Sequence, residues 1–351
     1  MPRPPEDEIT QQQSDDSVIR AAWDAFEAGK LETARRRAER LGAASPEGLF
    51  LRAACCREED DVPGAIELLK QAIAADPDWA SPELAFAELL ADAPETLDEA
   101  RRHAGRAVDL AEEEEEYLSA LALKAGLEAE AGEVDQARET LAELPPPEVV
   151  LGDPEAALEI ADLHLALGDA ELARGRLRTL IATAPGSDSA EAWHALGCAA
   201  SDLGDEAEMR AAWKRTWQLD AAPGAAHGEE RRLTDAEVGA IAGQALEELP
   251  ERARQLLRDV PIVIADQPAE ADVDAGVDPR SLGLFNGTAY PDASHLGGQP
   301  GLTQILIFRR NLERMAGDDE ELREEIRTTL LHETGHFFGM DDEELEGIGL
   351  G

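Results

Sequence analysis

The stretch Leu330–Leu345 reads LLHETGHFFGMDDEEL and holds two of the chain's seven histidines. His332 and His336 stand four residues apart with Glu333 between them. On a helix, that spacing puts both imidazoles on one face, one turn apart, able to share a single Zn²⁺. Glu333 points to the side and can reach a water on that metal. Zinc lowers the pKa of its bound water towards about 7, and a neighbouring carboxylate can then take the proton as the oxygen attacks a carbonyl. A catalytic zinc needs a third protein ligand and an open fourth position. Gly339 suits a left-handed helix stop. The chain can then fold back and present Asp342, with Asp341 and Glu343 as neighbouring alternatives for the third ligand. The competing reading is a helix end with two solvent-facing histidines. It has to accommodate Ile326, Leu330, Leu331, Phe337 and Phe338, which surround the motif and argue for a buried helix. By composition, chance yields a His-acid-x-x-His in roughly 3 of 100 such chains, and the full pattern with Gly and acid in roughly 6 of 10,000.

Elements that position this motif are legible upstream. GDDEELREEIRTTLLHETGHFFG predicts one helix, capped by Asp318 or Asp319, with acidic residues in a first turn where the helix dipole favours them. TQILIFRRN and PIVIAD predict strands. LGLFNGTAY carries Asn286-Gly287 between apolar flanks, a hairpin signal. Residues 294–301 are Gly-rich and predict a loop. Thr234 and Glu237 have capping-box spacing, and Pro250 then predicts a kink or two separate helices. Gly335 inside the motif helix costs about 1 kcal/mol relative to Ala, which suggests close approach of a neighbouring element. Ile305–Phe308 is the candidate strand beside a cleft, able to add an extended substrate to the sheet, a core strand being the alternative. Tyr290 and His295 are weaker candidates for stabilising an oxyanion, an ordinary surface role being the alternative.

Residues 16–222 have a different texture. They are rich in Ala, with Leu at helical spacing and no strand signals. Gly132, Gly168 and Gly204 recur 36 residues apart, each followed by an acidic residue suited to cap a second helix. Pro77, Pro185 and Pro223 fall where second helices should end. A helix, a Gly turn, a second helix and then Pro, at a period of about 34, resembles the tetratricopeptide repeat; AWHALGCAASDLGD is similar to its first helix. Roughly six hairpins are expected, stacked as a solenoid because one hairpin cannot bury its apolar face alone. Residues 1–15 are expected to be disordered, 223–232 to be a linker, and 233–351 to form a small α+β domain. The expected fold is therefore mostly α, with helical repeats followed by that domain.

The length of 351 residues allows two or three cores. A formal net charge of -44, from 76 acidic and 32 basic residues, argues against nucleic acid and anionic membrane surfaces. Cys55, Cys56 and Cys198 do not make a disulfide framework and are expected as buried thiols. MPRPPEDEITQQQSDDS lacks an apolar signal-peptide region, and no run of about 18 apolar residues occurs. The expected location is cytoplasmic.

The order and spacing of ALEELPERARQLL, PIVIAD, LGLFNG, ILIFRRNLER and LREEIRTTLLHETGHFFGMDDEEL resemble the small bacterial zincin-like metallopeptidases, or minimal zincins. The resemblance covers about residues 233–345. It implies a compact α+β fold, Zn²⁺ as cofactor, His332, His336 and Asp342 as ligands, and Glu333 as general base. Members often have a further His directly after the second ligand, where this chain has Phe337. The resemblance implies a zinc metallopeptidase acting on a protein or peptide substrate, with the repeats recruiting that substrate or a protein partner. The alternative is a non-catalytic repeat scaffold with a structural or vestigial zinc site. A zinc hydrolase acting on something other than peptides is a third possibility.

Overall fold

The computed structural model describes residues 6–91, 93–222, 232–287 and 303–347. The chain packs as two units, Met1–Ala182 and Thr183–Gly351. The linker residues 223–231, the loop 294–301, and Tyr290 and His295 lie outside the described residues.

Five successive helix pairs build the first unit: Glu6–Glu27 with Leu31–Ala38, Pro46–Arg57 with Val62–Ala75, Ala80–Ala91 with Leu97–Leu110, Glu114–Glu130 with Val134–Leu141, and Pro154–Ala166 with Ala170–Ile181. Alanine makes the close pairing possible: Ala34, Ala65, Ala104, Ala137 and Ala173 are wholly buried at the second helices. Gly132 and Gly168 both take φ 77°, the left-handed residue that ends a first helix. Residues 6–15 are helical and continue into the first repeat, so the expectation of disorder over residues 1–15 is corrected from Glu6 onward.

The acidic residues after these glycines do only part of what their position suggested. Asp205, after Gly204, caps the following helix through its side chain, as does Asp61 after the left-handed Asp60. Glu133 and Asp169 make no capping bond. Their carboxylates instead pair with Arg101 and Arg138 of the preceding helix pair. The competing attraction is a guanidinium with several donors, which suits a carboxylate better than one backbone N–H.

The second unit contains one more helix pair, Ala190–Asp202 and Glu206–Asp220, then an α+β part. Gly197 seats the indole of Trp213, and an added Cβ there would collide with the ring. Thr234 and Glu237 form the expected capping box on Asp235–Glu248. Pro250 separates that helix from Glu251–Leu257, giving two helices. Three strands follow: β1 (Ile262–Ala265), β2 (Gly283–Asn286) and β3 (Gln304–Phe308). Their order is β1-β3-β2, with β1 parallel and β2 antiparallel to β3. Ile305 and Ile307 of β3 pack with Leu322, Ile326 and Leu330 of the motif helix Asp319–Phe337 and with Val238, Ala242 and Ala245 of Asp235–Glu248. Asp318 caps the motif helix, accepting from Glu320 and Glu321 N–H.

One expectation changes here. β3 has a partner on each side, so its backbone donors and acceptors are taken and it cannot add a substrate strand. The strand after Asn286-Gly287 would fall on residues 288–290, outside the described residues. Within them β2 pairs with β3.

Candidate metal centre

His332 and His336 project from the last turns of the motif helix. That helix ends as expected at Gly339, with φ 85°. Met340 N–H reaches back to the Gly335 carbonyl at 3.1 Å, and Gly339 N–H to that of His336 at 2.9 Å. This closure satisfies the last carbonyls and turns the chain back on itself. The short helix Asp342–Glu346 follows and lays Leu345, fully buried, onto Gly335. An added Cβ at Gly335 would collide with that leucine, which accounts for the glycine in mid-helix.

The reversal brings three donors together. His332 Nε2 and His336 Nε2 lie 2.9 Å apart, and Asp342 Oδ1 is 3.6 Å from the first and 3.3 Å from the second. His336 Nδ1 is 3.0 Å from the Met340 carbonyl. Donation there leaves Nε2 as the coordinating atom, the usual arrangement for a metal-bound imidazole. Two nitrogens and a carboxylate oxygen suit Zn²⁺. The two imidazoles are half-buried rather than enclosed, because only one side of the helix meets the core.

Asp341, one alternative third ligand, is occupied elsewhere. Its carboxylate accepts from Glu344 N–H at 2.9 Å, and Glu344 Oε2 accepts from Asp341 N–H at 3.2 Å. This reciprocal cap starts the short helix and leaves Asp342 facing the imidazoles. The Glu343 side chain lies outside the described residues.

Glu333 is 7% exposed, in contrast to Asp342 on the open side. β2 covers it: an added Cβ at Gly283 would come within 2.8 Å of Glu333 Cγ and of Thr329 Cγ2. The Phe285 backbone N–H donates to the Glu333 carboxylate. Burial pushes its pKa up, and the two imidazoles and the Phe285 N–H pull it part of the way back. A carboxylate held above its ordinary range beside two imidazoles is suited to taking up a proton. Phe337 turns into the core and packs edge-on against Phe285 at 6.0 Å.

Other histidines gain partners that sequence reasoning did not assign. His103 Nδ1 contacts the buried Glu83, which Arg106 also pairs with at 2.8 Å. His164 is 4% exposed, and burial pushes its pKa down to about 4, with Arg176 adding to the effect. His194 Nε2 meets Asp278 Oδ1 at 3.0 Å, with Cys198 beside it. Burial pulls the His194 pKa down, but hydrogen bonds to Asp278 and Cys198 outweigh it and raise the value to about 9. The signal for two of its three members was present in the sequence as His194 and Cys198 one helical turn apart. Cys55 and Cys56 are buried free thiols, as expected, whereas Cys198 is only half-buried.

Residues 257–350 match the family model described as zincin-like metallopeptidase. No curated protein matches the chain. Among solved structures, the chain is similar to Pseudomonas aeruginosa pilF at 18% identity, over 61% of this chain and 95% of that one, with a TM-score of 0.49. It is similar to PilW, a type IV pilus biogenesis factor, at 17% identity over 62% and 96%, with a TM-score of 0.48. A tetratricopeptide repeat protein from Parabacteroides merdae is 14% identical over 70% and 97%, with a TM-score of 0.42. Among the described residues, no helix is long and apolar enough to cross a membrane.

Proposed function

We propose that this chain is a zinc metallopeptidase that hydrolyses peptide bonds, with His332, His336 and Asp342 as metal ligands and Glu333 as general base. The observation that carries the reading is the convergence of three zinc-type donors beside one buried, proton-accepting carboxylate. When bound, zinc supplies a water acidified towards about pKa 7 and a Lewis acid for the substrate carbonyl. The chain's own residues do the rest. His336 is oriented by the Met340 carbonyl. Glu333 is held by the Phe285 N–H, accepts a proton at its carboxylate, and returns it to the leaving amine. β2, which lies over Glu333, replaces β3 as the strand against which an extended substrate aligns.

The commitment of Asp341 to its helix cap favours this reading over a structural or vestigial zinc site, because it removes one candidate for a closing fourth ligand. The helical repeats recruit the protein substrate or a protein partner, and the chain works in the cytoplasm. Glu333→Gln is the test. It is expected to keep its zinc and lose peptide-cleaving activity by about 10²–10⁴-fold, the usual contribution of a general base. Full activity with Gln at this position would remove the proposed mechanism.

A further inference from the structure

Far from the motif helix in sequence, a second set of metal-type donors meets inside the same unit. His194 and Cys198 are one turn apart on Ala190–Asp202, the first helix of the last pair. That helix uses Gly197 to pack on Trp213 of its own partner. His194 and Cys198 meet the segment between Glu270–Ala275 and β2, which delivers Asp278.

This segment is well held. Gly276 turns left-handed at φ 102° after the short helix. Arg280 N–H donates to Asp278 Oδ1 at 2.7 Å and fixes the carboxylate. Asn311 Nδ2, buried, donates to the carbonyls of Pro279 and Ser281 at 2.9 and 2.7 Å. The Arg280 guanidinium is engaged by Asp220 and Glu191, at 3.2 Å each.

We infer that His194, Cys198 and Asp278 form a second divalent-metal site, of the zinc class, which fastens the last helix pair to the segment leading into β2. His194 Nε2 lies 3.0 and 3.1 Å from the two Asp278 oxygens, and Cys198 Sγ lies 3.9 Å from the ring nitrogens. Zinc bond lengths and tetrahedral angles require about 3.3–3.7 Å between such ligand atoms, so side-chain adjustments of a few tenths of an ångström suffice. The three ligand atoms lie within 4.8 Å of one another. Imidazole, thiolate and carboxylate together are a zinc-type set, and the thiolate disfavours Mg²⁺ and Ca²⁺. A plain His–Asp ion pair leaves the sulfur with only long contacts, 3.9 Å from each ring nitrogen. His194 and Asp278 retain 22% and 32% side-chain exposure, so water can fill a further coordination position. The consequence is positional. The segment carrying Asp278 runs on to Gly283, which packs directly on Glu333.

Cobalt distinguishes the two sites, because only this one contains a thiolate. The full chain carrying His332→Ala and His336→Ala, stripped of metal, is titrated with Co²⁺. One equivalent should bind with a thiolate-to-cobalt band in the near ultraviolet, and Zn²⁺ should displace it. Adding Cys198→Ser should abolish the band, and adding Asp278→Asn should weaken binding at least tenfold. Absence of the band overturns the inference and leaves an ion pair. So does a band that survives Cys198→Ser, since Cys55 and Cys56 would then be its source. If the double-alanine chain fails to fold, wild type is compared with Cys198→Ser alone. Loss of one bound equivalent together with the band supports the site, and unchanged metal content overturns it.

Discussion

Gly335 and Leu345 set the position of Asp342 without touching a metal themselves. The glycine lets the short helix Asp342–Glu346 dock, and the docking holds Asp342 Oδ1 within 3.6 Å of both imidazoles. Ala is a better helix former than Gly by about 1 kcal/mol, so Gly335→Ala should strengthen the helix in isolation. In this chain its Cβ meets Leu345, and zinc affinity should fall at least tenfold by competition with a chelator of known affinity. Adding Leu345→Ala should restore part of the loss; no loss in the single variant would dissociate the docking from the metal centre. At this scale the two histidines and Glu333 were legible because helical spacing alone places them. The choice among Asp341, Asp342 and Glu343 was left open, although Asp341-x-x-Glu344 is itself a capping-box spacing that commits Asp341. Asp278 was not legible, because only the tertiary fold brings it to His194.

At the scale of elements, periodicity revealed the helix pairs, and punctuation by Gly and Pro revealed most of their ends. The role of the acidic residue after each turn was less readable. Asp205 caps its helix, whereas Asp169 at the same place in the pattern pairs with Arg138 at 2.9 Å. The deciding guanidinium comes from the preceding pair and is invisible to a local reading. The strand next to the candidate site was misread for a related reason: a run such as ILIF looks alike in a central strand and an edge strand. One histidine gives the repeats a pH response. His164 has a folded pKa of about 4 against an unfolded value near 6.5. Between these values the unfolded chain binds more protons. The contribution is therefore fully present above about pH 6.5 and lost as pH falls towards 4. Linkage puts its full extent at about 3 kcal/mol as an upper value. Denaturant midpoints of the full chain followed by helical signal should fall over that window, and His164→Leu should flatten the fall. An unchanged slope in the variant would place the pH response elsewhere.

At the scale of the whole molecule, the boundary between the two compact units lies within the repeats. The last helix pair belongs with the α+β part: Met209 and Trp213 pack on Val273, Trp217 Nε1 donates to the Pro268 carbonyl at 2.9 Å, and Asp220 pairs with Arg280 and Arg314. A fragment of residues 183–351 should therefore unfold at a higher urea concentration than one of residues 233–351, which would expose Val273 and leave those arginines without Asp220. Equal midpoints would contradict this division. The net charge of -44 acts on the entire chain. Added salt screens its self-repulsion, so the unfolding midpoint should rise with KCl, and a fall would mean that attractive ion pairs dominate. The central claim remains the metal centre at His332, His336 and Asp342. Its most direct test is the zinc content of the purified full chain, by elemental analysis, beside that of His336→Ala. The account predicts that the variant loses one equivalent of zinc per chain. Equal zinc in the two proteins would contradict it.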